Sequence, residues 1–206
     1  MKKFTTHNGI AAPLVRNNID TDAIIPSVEM KWVSRHGLSA GLFATWRYLD
    51  RVERVRNPDF VLNREAYQGA SILLSGINFG CGSSREHAVW ALAEYGIRAI
   101  IAVSFGTIFR ANCIANGLLP ISLPSEIIEQ LLCYVDENPR EHRLRINLEK
   151  RTVTATDDFV VHFDIADSDA DMLINGLDPV ALTLQQENAI DDFQHEDRLE
   201  RPWVYL

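Results

Sequence analysis

Apolar runs of strand length alternate with segments of helical spacing through the middle of the chain. After the short apolar run at 70–74, Ala88, Leu92 and Tyr95 share one helical face. Because strands that alternate with helices pair in parallel, this part of the chain predicts a packed α/β layer. The predicted strands are 70–74, 98–103 and 118–123, and the predicted helices are 86–95, 105–115 and, with Ser125 as its N-cap, 126–135.

The hydrophobic period changes in the last third of the chain. Strand-like segments joined by polar turns lie at 144–148, 152–156 and 159–163, and another strand is predicted near the start, at 10–15. Asp178 and Pro179 mark the start of a last helix, because proline is favoured in a first helical turn. We expect residues 1–206 to form a single domain with a flexible tail from about residue 190.

Charge is distributed unevenly along the chain. The net charge is −8, with 18 basic and 15 acidic residues in 1–152 but two basic and 13 acidic residues in 153–206. An acidic end disfavours nucleic-acid binding, since phosphates require a basic surface. The chain has no run of about 18 apolar residues and no apolar core behind its basic start, so we expect no membrane span and a cytoplasmic protein.

The cysteines and the first acidic pair do not indicate a metal site. Cys81, Cys113 and Cys133 are widely spaced and form no C-x-x-C pair, which predicts neither a zinc site nor a disulfide framework. Asp20 and Asp22 lack a third carboxylate at the spacing of a calcium loop. We favour an interpretation in which these aspartates bond their own turn or cap the next segment.

A glycine-rich turn joins the strand at 70–74 to the helix at 86–95. Between residues 76 and 85 it carries several glycines, two serines and an arginine, and Ser83 with Glu86 fits a capping box. Free amides, a positive helix end and a guanidinium in one place would bind an anion. The alternative is an ordinary strand–turn–helix junction whose serine caps the helix. A dinucleotide loop fits poorly, because Arg85 occupies the place of its third glycine.

The turn also carries a family resemblance. Residues 78–88 resemble the signature of the swivelling domain of the aconitase superfamily, and the segments 18–26, 57–63 and 175–178 resemble bacterial 3-isopropylmalate dehydratase small subunits. The resemblance implies a swivelling β/β/α domain, which is an α/β fold with a mixed barrel-like sheet and flanking helices. It also implies a hydro-lyase that converts 2-isopropylmalate to 3-isopropylmalate by dehydration and rehydration in leucine biosynthesis.

The same resemblance implies a division of labour between two subunits. A large subunit, in a heterodimer or heterotetramer with this chain, would bind a [4Fe-4S] cluster whose open iron acts as a Lewis acid on the substrate hydroxyl. This chain would hold no cluster, because its cysteines lack the close spacing of cluster ligands. It would contribute groups that bind the dicarboxylate substrate and move its proton.

The resemblance also implies roles for individual residues. Ser83 would be the base, with its alkoxide stabilised by the amides of residues 80–84, by the helix end and by Arg85. Arg85 would hold a substrate carboxylate bidentately, as lysine does not. Arg35, in a substrate-selecting loop at 30–41, is a candidate second clamp or else an exposed loop arginine. The remaining predicted site residues are Ser84 and Gly82 at the substrate and Asn78, Gly80 and Asp22 in support.

One segment departs from the family pattern. Residues 164–171 are acidic where bacterial relatives carry a basic stretch. This difference suggests altered docking to the large subunit, or a related dehydratase that acts on methylmalate or homocitrate and homoaconitate. An alternative of another class is a non-catalytic binding or regulatory module with the same fold.

Overall fold

A computed structural model describes residues 1–30, 36–83 and 85–205 of the 206-residue chain. Its strands are β1 (Thr6–Gly9), β2 (Ala11–Leu14), β3 (Tyr48–Asp50), β4 (Val55–Arg56), β5 (Ile72–Ser75), β6 (Ala99–Ala102), β7 (Leu119–Ser122), β8 (Leu144–Asn147), β9 (Thr152–Thr156) and β10 (Phe159–His162). Its α-helices are α1 (Thr21–Ile24), α2 (Ala44–Arg47), α3 (Glu86–Tyr95), α4 (Thr107–Ala115), α5 (Ser125–Glu137), α6 (Asp167–Asn175), α7 (Pro179–Leu184) and α8 (Glu187–Glu200). Short 3-10 helices lie at Ser27–Glu29, Ser39–Gly41, Val61–Asn63, Glu65–Tyr67 and Pro202–Tyr205.

The strands form a parallel sheet and an antiparallel sheet of four strands each, beside a small β3–β4 hairpin. The parallel sheet has the order β2-β5-β6-β7, and the antiparallel sheet has the order β1-β8-β9-β10. Leu73 pairs with Ile100 across β5 and β6. The mixed α/β architecture predicted from the alternating pattern is therefore confirmed. The strand predicted at 10–15 corresponds to β2, and Ile10 separates it from β1, which belongs to the antiparallel sheet.

Each face of the parallel sheet contributes to its own hydrophobic core. Leu73 and Ile100 belong to one cluster of buried side chains, whereas Ile72, Leu74 and Ile101 belong to the other. Every residue of β5 and β6 is buried, which explains why these strands are nearly continuous apolar runs in the sequence. Helices and the antiparallel sheet cover both faces.

Several predicted helix starts can be compared with the structure. The N-cap predicted at Ser125 is wrong, because Ser125 is the first residue of α5 and Pro124 before it makes no side-chain cap bond. The helix start predicted at Asp178 is confirmed, since its Oδ1 accepts a 2.7 Å hydrogen bond from the Ala181 amide. The segment after residue 186 forms α8, and the flexibility expected from about residue 190 stays a prediction.

The acidic segment at 164–171 has a local structural explanation. Asp167 and Asp169 lie in the first turn of α6, where the helix dipole favours negative charge. Asp167 also pairs with Arg151 of the neighbouring strand region. Part of the reversed charge therefore stabilises the start of a helix. None of the described helices combines the length and the apolar character needed to cross a bilayer.

Candidate active site

A cavity of about 340 Å³ opens at the carboxyl edge of the parallel sheet. It forms there because β5 and β6 are parallel neighbours, so the loops after them and the starts of α3 and α4 meet at one edge. Five predicted site residues line the cavity, namely Asn78, Gly80, Gly82, Ser83 and Arg85. The structure thus brings most of the glycine-rich turn around one opening.

Backbone hydrogen bonds hold this turn between two neighbouring segments. The Phe79 amide donates to the Ser104 carbonyl over 2.9 Å, and the Phe79 carbonyl accepts from the Gly106 amide over 2.9 Å. On the other side, the Thr21 amide donates to the Cys81 carbonyl over 3.0 Å. Residues 79–81 therefore continue the parallel pairing beyond the end of β5, which fixes the position of the residues that follow.

Gly80 is required where the turn crosses α4. Its φ is +73°, and a Cβ at this position would lie 2.1 Å from Cγ of Phe109. Its amide donates to the Ile19 carbonyl over 2.7 Å. The expectation that the Gly80 amide helps to stabilise an alkoxide is therefore wrong, because this amide already has a partner.

The predicted capping box is also wrong. Arg85, and not Ser83, occupies the N-cap position of α3, and no side chain of the described residues makes a cap hydrogen bond there. The Glu86 carboxylate instead accepts a 2.9 Å hydrogen bond from the Asn116 side chain. The chain is extended at Arg85, so the helix begins two residues later than a cap at Ser83 requires. In the part of the chain that the structure describes, no side chain caps the first amides of α3, which leaves them open to an anion.

Ser83 is exposed at the cavity. Its carbonyl accepts a 3.0 Å hydrogen bond from the hydroxyl of Thr21, whose exposed fraction is only 2%. Within the described part of the chain, its own hydroxyl makes no hydrogen bond. The backbone is therefore anchored while the side chain is left available to a ligand.

Arg85 forms an ion pair with Asp22 of α1. The exposed fraction of its side chain is 24%, and that of Asp22 is 57%. Asp20 caps α1, because its Oδ1 accepts a 2.7 Å hydrogen bond from the Ala23 amide, which confirms the capping interpretation for that residue. Asp22 thus contacts the guanidinium that lines the cavity, and its supporting role stays a prediction.

Asn78 shapes the entry to the turn. Its φ is +62°, a conformation that asparagine tolerates better than most residues. Its amide donates to the Ser104 hydroxyl over 2.8 Å, and its side chain donates to Asn18 over 2.9 Å. Both interactions tie the turn to neighbouring loops.

Further lining residues were not among the predicted site residues, although Thr21 belongs to the segment 18–26 that carries part of the family resemblance. Thr21 lies at the start of α1, and Gly106, Thr107 and Ile108 lie at the start of α4. The topology could have identified the residues at the start of α4, because the loops that follow adjacent parallel strands lie at the same edge of the sheet. Ser84 and Arg35 lie outside the described residues, so their predicted roles stay predictions.

The end of the predicted substrate loop is anchored on α3. The Glu94 carboxylate accepts 2.7 Å hydrogen bonds from the amides of Gly37 and Ser39. Burial raises the pKa of Glu94, but these hydrogen bonds outweigh it and hold that pKa below its usual value. On the same helix, His87 packs against Trp90 with a centroid separation of 4.8 Å, which suits a structural residue.

The three cysteines lie in different elements. Cys81 is in the turn, the buried Cys113 is in α4, and the exposed Cys133 is in α5. Burial raises the pKa of the Cys113 thiol, which disfavours the thiolate that a metal requires. Over residues 1–30, 36–83 and 85–205, no group of three His, Cys, Asp or Glu side chains could hold a metal ion.

Comparisons with known proteins agree with this architecture. Residues 1–126 match the family described as Aconitase C-terminal domain. The chain is 54% identical over 206 residues to the 3-isopropylmalate dehydratase small subunit of Cupriavidus necator, covering 100% of this chain and 99% of that protein. The subunits of the same name from Leptospira interrogans and Neisseria gonorrhoeae are each 48% identical, with 100% of this chain and 99% of each relative covered.

A solved structure also resembles the whole domain. The crystal structure of 3-isopropylmalate dehydratase from Methanocaldococcus jannaschii has a TM-score of 0.63 and 26% sequence identity to this chain. The match covers 92% of this chain and 99% of that one. Together with the family match, it confirms the predicted swivelling α/β domain of the aconitase type.

Proposed function

The chain belongs to the family of 3-isopropylmalate dehydratase small subunits, and from this premise we propose that, with a large subunit, it isomerises 2-isopropylmalate to 3-isopropylmalate. The reaction is a dehydration followed by a rehydration, in leucine biosynthesis. Full-length relatives of 48–54% identity carry this name, which favours isopropylmalate over methylmalate or homocitrate.

The observation that carries the proposal is the exposed Ser83 hydroxyl beside Arg85 in one cavity. A dehydration removes a hydroxyl from one carbon and a weakly acidic proton from the next carbon, so it needs a base. A serine is a weak base unless its anion is stabilised. The open start of α3 and the Arg85 guanidinium would supply that stabilisation, with Gly82 leaving room for the substrate.

The proposed roles follow from charge. Arg85 binds a carboxylate of the substrate, and Ser83 takes a proton from the carbon next to the carbon that bears the hydroxyl. In the rehydration, Ser83 returns a proton to the carbon that lost the hydroxyl, and water adds to its neighbour. We keep Ser84 as a supporting hydrogen-bond donor and Arg35 as a second carboxylate clamp.

We assign the cluster to the large subunit. The relationship to the aconitase family suggests that the working complex contains an iron–sulfur cluster. The cysteines of this chain do not fit as its ligands, because they lie in separate elements and the buried Cys113 favours the protonated thiol. Three unpaired cysteines also suit a reducing compartment, so we propose the cytoplasm as the location.

The test is turnover by the co-expressed pair of subunits, with isopropylmalate, methylmalate and homocitrate as parallel substrates. We expect isopropylmalate to be the preferred substrate. Ser83→Ala should lower kcat by at least about 100-fold, the lower range for removal of a general base. Ser125→Ala is the matched control, since Ser125 is an exposed serine at the start of a helix away from the cavity. Near-normal turnover by the Ser83→Ala complex would remove Ser83 as the base.

A further inference from the structure

Among the apolar residues that line the cavity, Ile108 differs from its neighbours because it is not packed into the core. Phe109 has an exposed fraction of 3% and lies 5.5 Å, between ring centroids, from Phe79. The half-buried Phe105 also packs against Phe79, with its ring edge-on at 6.3 Å. Ile108, by contrast, lines the same cavity with 54% of its surface exposed. Of the described apolar residues at this cavity, it is therefore the one most available to a ligand.

The position of Ile108 relative to the proposed base is fixed by the backbone. It is the second residue of α4, and the start of α4 is bound to the glycine-rich turn through the 2.9 Å hydrogen bond from the Gly106 amide to the Phe79 carbonyl. A Cβ on Gly106 would lie 2.6 Å from the Gly80 carbonyl oxygen, so glycine permits this close approach. Ile108 is thus held at the cavity that also contains Ser83 and Arg85.

We propose that Ile108 contacts the branched alkyl group of the substrate and is a specificity-determining residue; this assignment rests on the proposed function. The substrate combines carboxylates with one apolar branch. Arg85 and the open start of α3 suit the carboxylates, whereas an exposed isoleucine gains from covering apolar surface. The cavity therefore offers separate contacts for the charged and the apolar parts of one molecule.

The experiment compares two malates in the assembled complex of both subunits. Ile108→Ala should lower kcat/KM for 2-isopropylmalate by about tenfold, the lower end of the 10- to 200-fold range for one methylene in an apolar pocket, because this site is partly open. The constant for 2-methylmalate, measured as kcat/KM or as a competitive inhibition constant, should change by less than about threefold because its branch is too short. Ile108→Val should give a smaller loss in the same direction.

The matched control is Ile77→Ala. Ile77 is exposed to a similar extent, 49%, and lies near the start of the glycine-rich turn, but it is not among the residues that line the cavity. Its variant should leave the ratio of the two constants unchanged.

Two results would overturn the assignment while isopropylmalate remains a substrate. Equal losses for both malates in Ile108→Ala would show that this residue acts on turnover or assembly and not on the alkyl branch. No change in either constant would show that it makes no alkyl contact. Failure of the unmodified complex to isomerise isopropylmalate is a different result, because it would overturn the proposed function itself and the assignment with it.

Discussion

Asp22 and Arg85, 63 positions apart in sequence, form an ion pair at the cavity. The pair connects α1 to the N-cap of α3. The Arg85 guanidinium is held by a residue of α1, whereas the Arg85 backbone lies at the start of α3. Asp22 is the more exposed partner, and exposed pairs contribute only about 0.2–1 kcal/mol to stability. Its main effect should therefore be on the orientation of Arg85 and not on the free energy of unfolding.

Removal of the aspartate tests this positioning role. In Asp22→Ala, Arg85 loses its partner and samples more orientations, so KM for isopropylmalate should rise about five- to tenfold, as for loss of about 1 kcal/mol of binding. The measurement is steady-state kinetics of the assembled complex, with thermal unfolding of the small subunit as the check on folding. A lower KM would indicate that Asp22 competes with the substrate for Arg85.

Substitution of the arginine itself tests the carboxylate clamp. Arg85→Lys keeps the charge but loses the planar pair of donors, so KM should rise about 10- to 100-fold, which corresponds to about 1.5–3 kcal/mol for a charged hydrogen bond. Arg56→Lys, at an exposed arginine of the β3–β4 hairpin, is the control. An Arg85→Lys complex with unchanged KM would exclude the clamp role.

The close contact at Gly80 predicts a large loss of stability. Gly80→Ala would place a Cβ 2.1 Å from Cγ of Phe109 at a φ of +73°. We expect about 1–2 kcal/mol from the left-handed conformation and about 1–3 kcal/mol from overpacking. Gly69→Ala separates the two effects, because Gly69 has a φ of +78°, and among the described residues beyond its two chain neighbours no atom lies within 4 Å of the added Cβ.

The measurement is the free energy of unfolding from urea titration of both glycine variants. Gly69→Ala should lose only the conformational part. Equal losses in Gly69→Ala and Gly80→Ala would mean that Phe109 moves aside without cost.

The helix after the turn was predictable and its cap was not, for a physical reason. The apolar spacing of Ala88, Leu92 and Tyr95 describes a face, and α3 spans Glu86–Tyr95 as that spacing predicts. The Ser83–Glu86 spacing assumes that the helix starts after Ser83. The extended backbone at Arg85 moves that start, and the sequence spacing carries no information about this shift.

The cavity residues that the sequence did not predict have a related explanation. Thr21 precedes Ser83 by 62 positions and Ile108 follows it by 25, so no short motif contains either of them together with Ser83. They reach the cavity because β2, β5 and β6 are parallel and end at one edge. The sequence supported the strands and their parallel pairing, but the close packing of α4 on Gly80 depends on Phe109, which is 29 positions away.

The loop anchor at Glu94 gives a prediction that depends on charge and pH. The pKa of Glu94 is held below its usual value in the folded chain, so the anchor is complete above the ordinary carboxyl pKa and is lost as the pH falls through the lowered one. Glu94→Gln keeps one acceptor oxygen and loses the other, so at neutral pH one of the Gly37 and Ser39 amides loses its partner.

Hydrogen exchange measures this loss directly. In Glu94→Gln, the amides of Gly37 and Ser39 should exchange several-fold faster at neutral pH than in the unmodified chain. In the unmodified chain, the same two amides should lose protection at low pH, after correction for intrinsic exchange rates. Glu129→Gln, at an exposed glutamate of α5, is the control and should leave both amides protected.

If the residue 30–41 loop contacts substrate as proposed, Glu94→Gln should also raise KM for isopropylmalate while kcat changes less, because the loosened loop must be ordered again on binding. Unchanged protection in Glu94→Gln would mean that other contacts hold the loop, and the predicted change in KM would then have no basis.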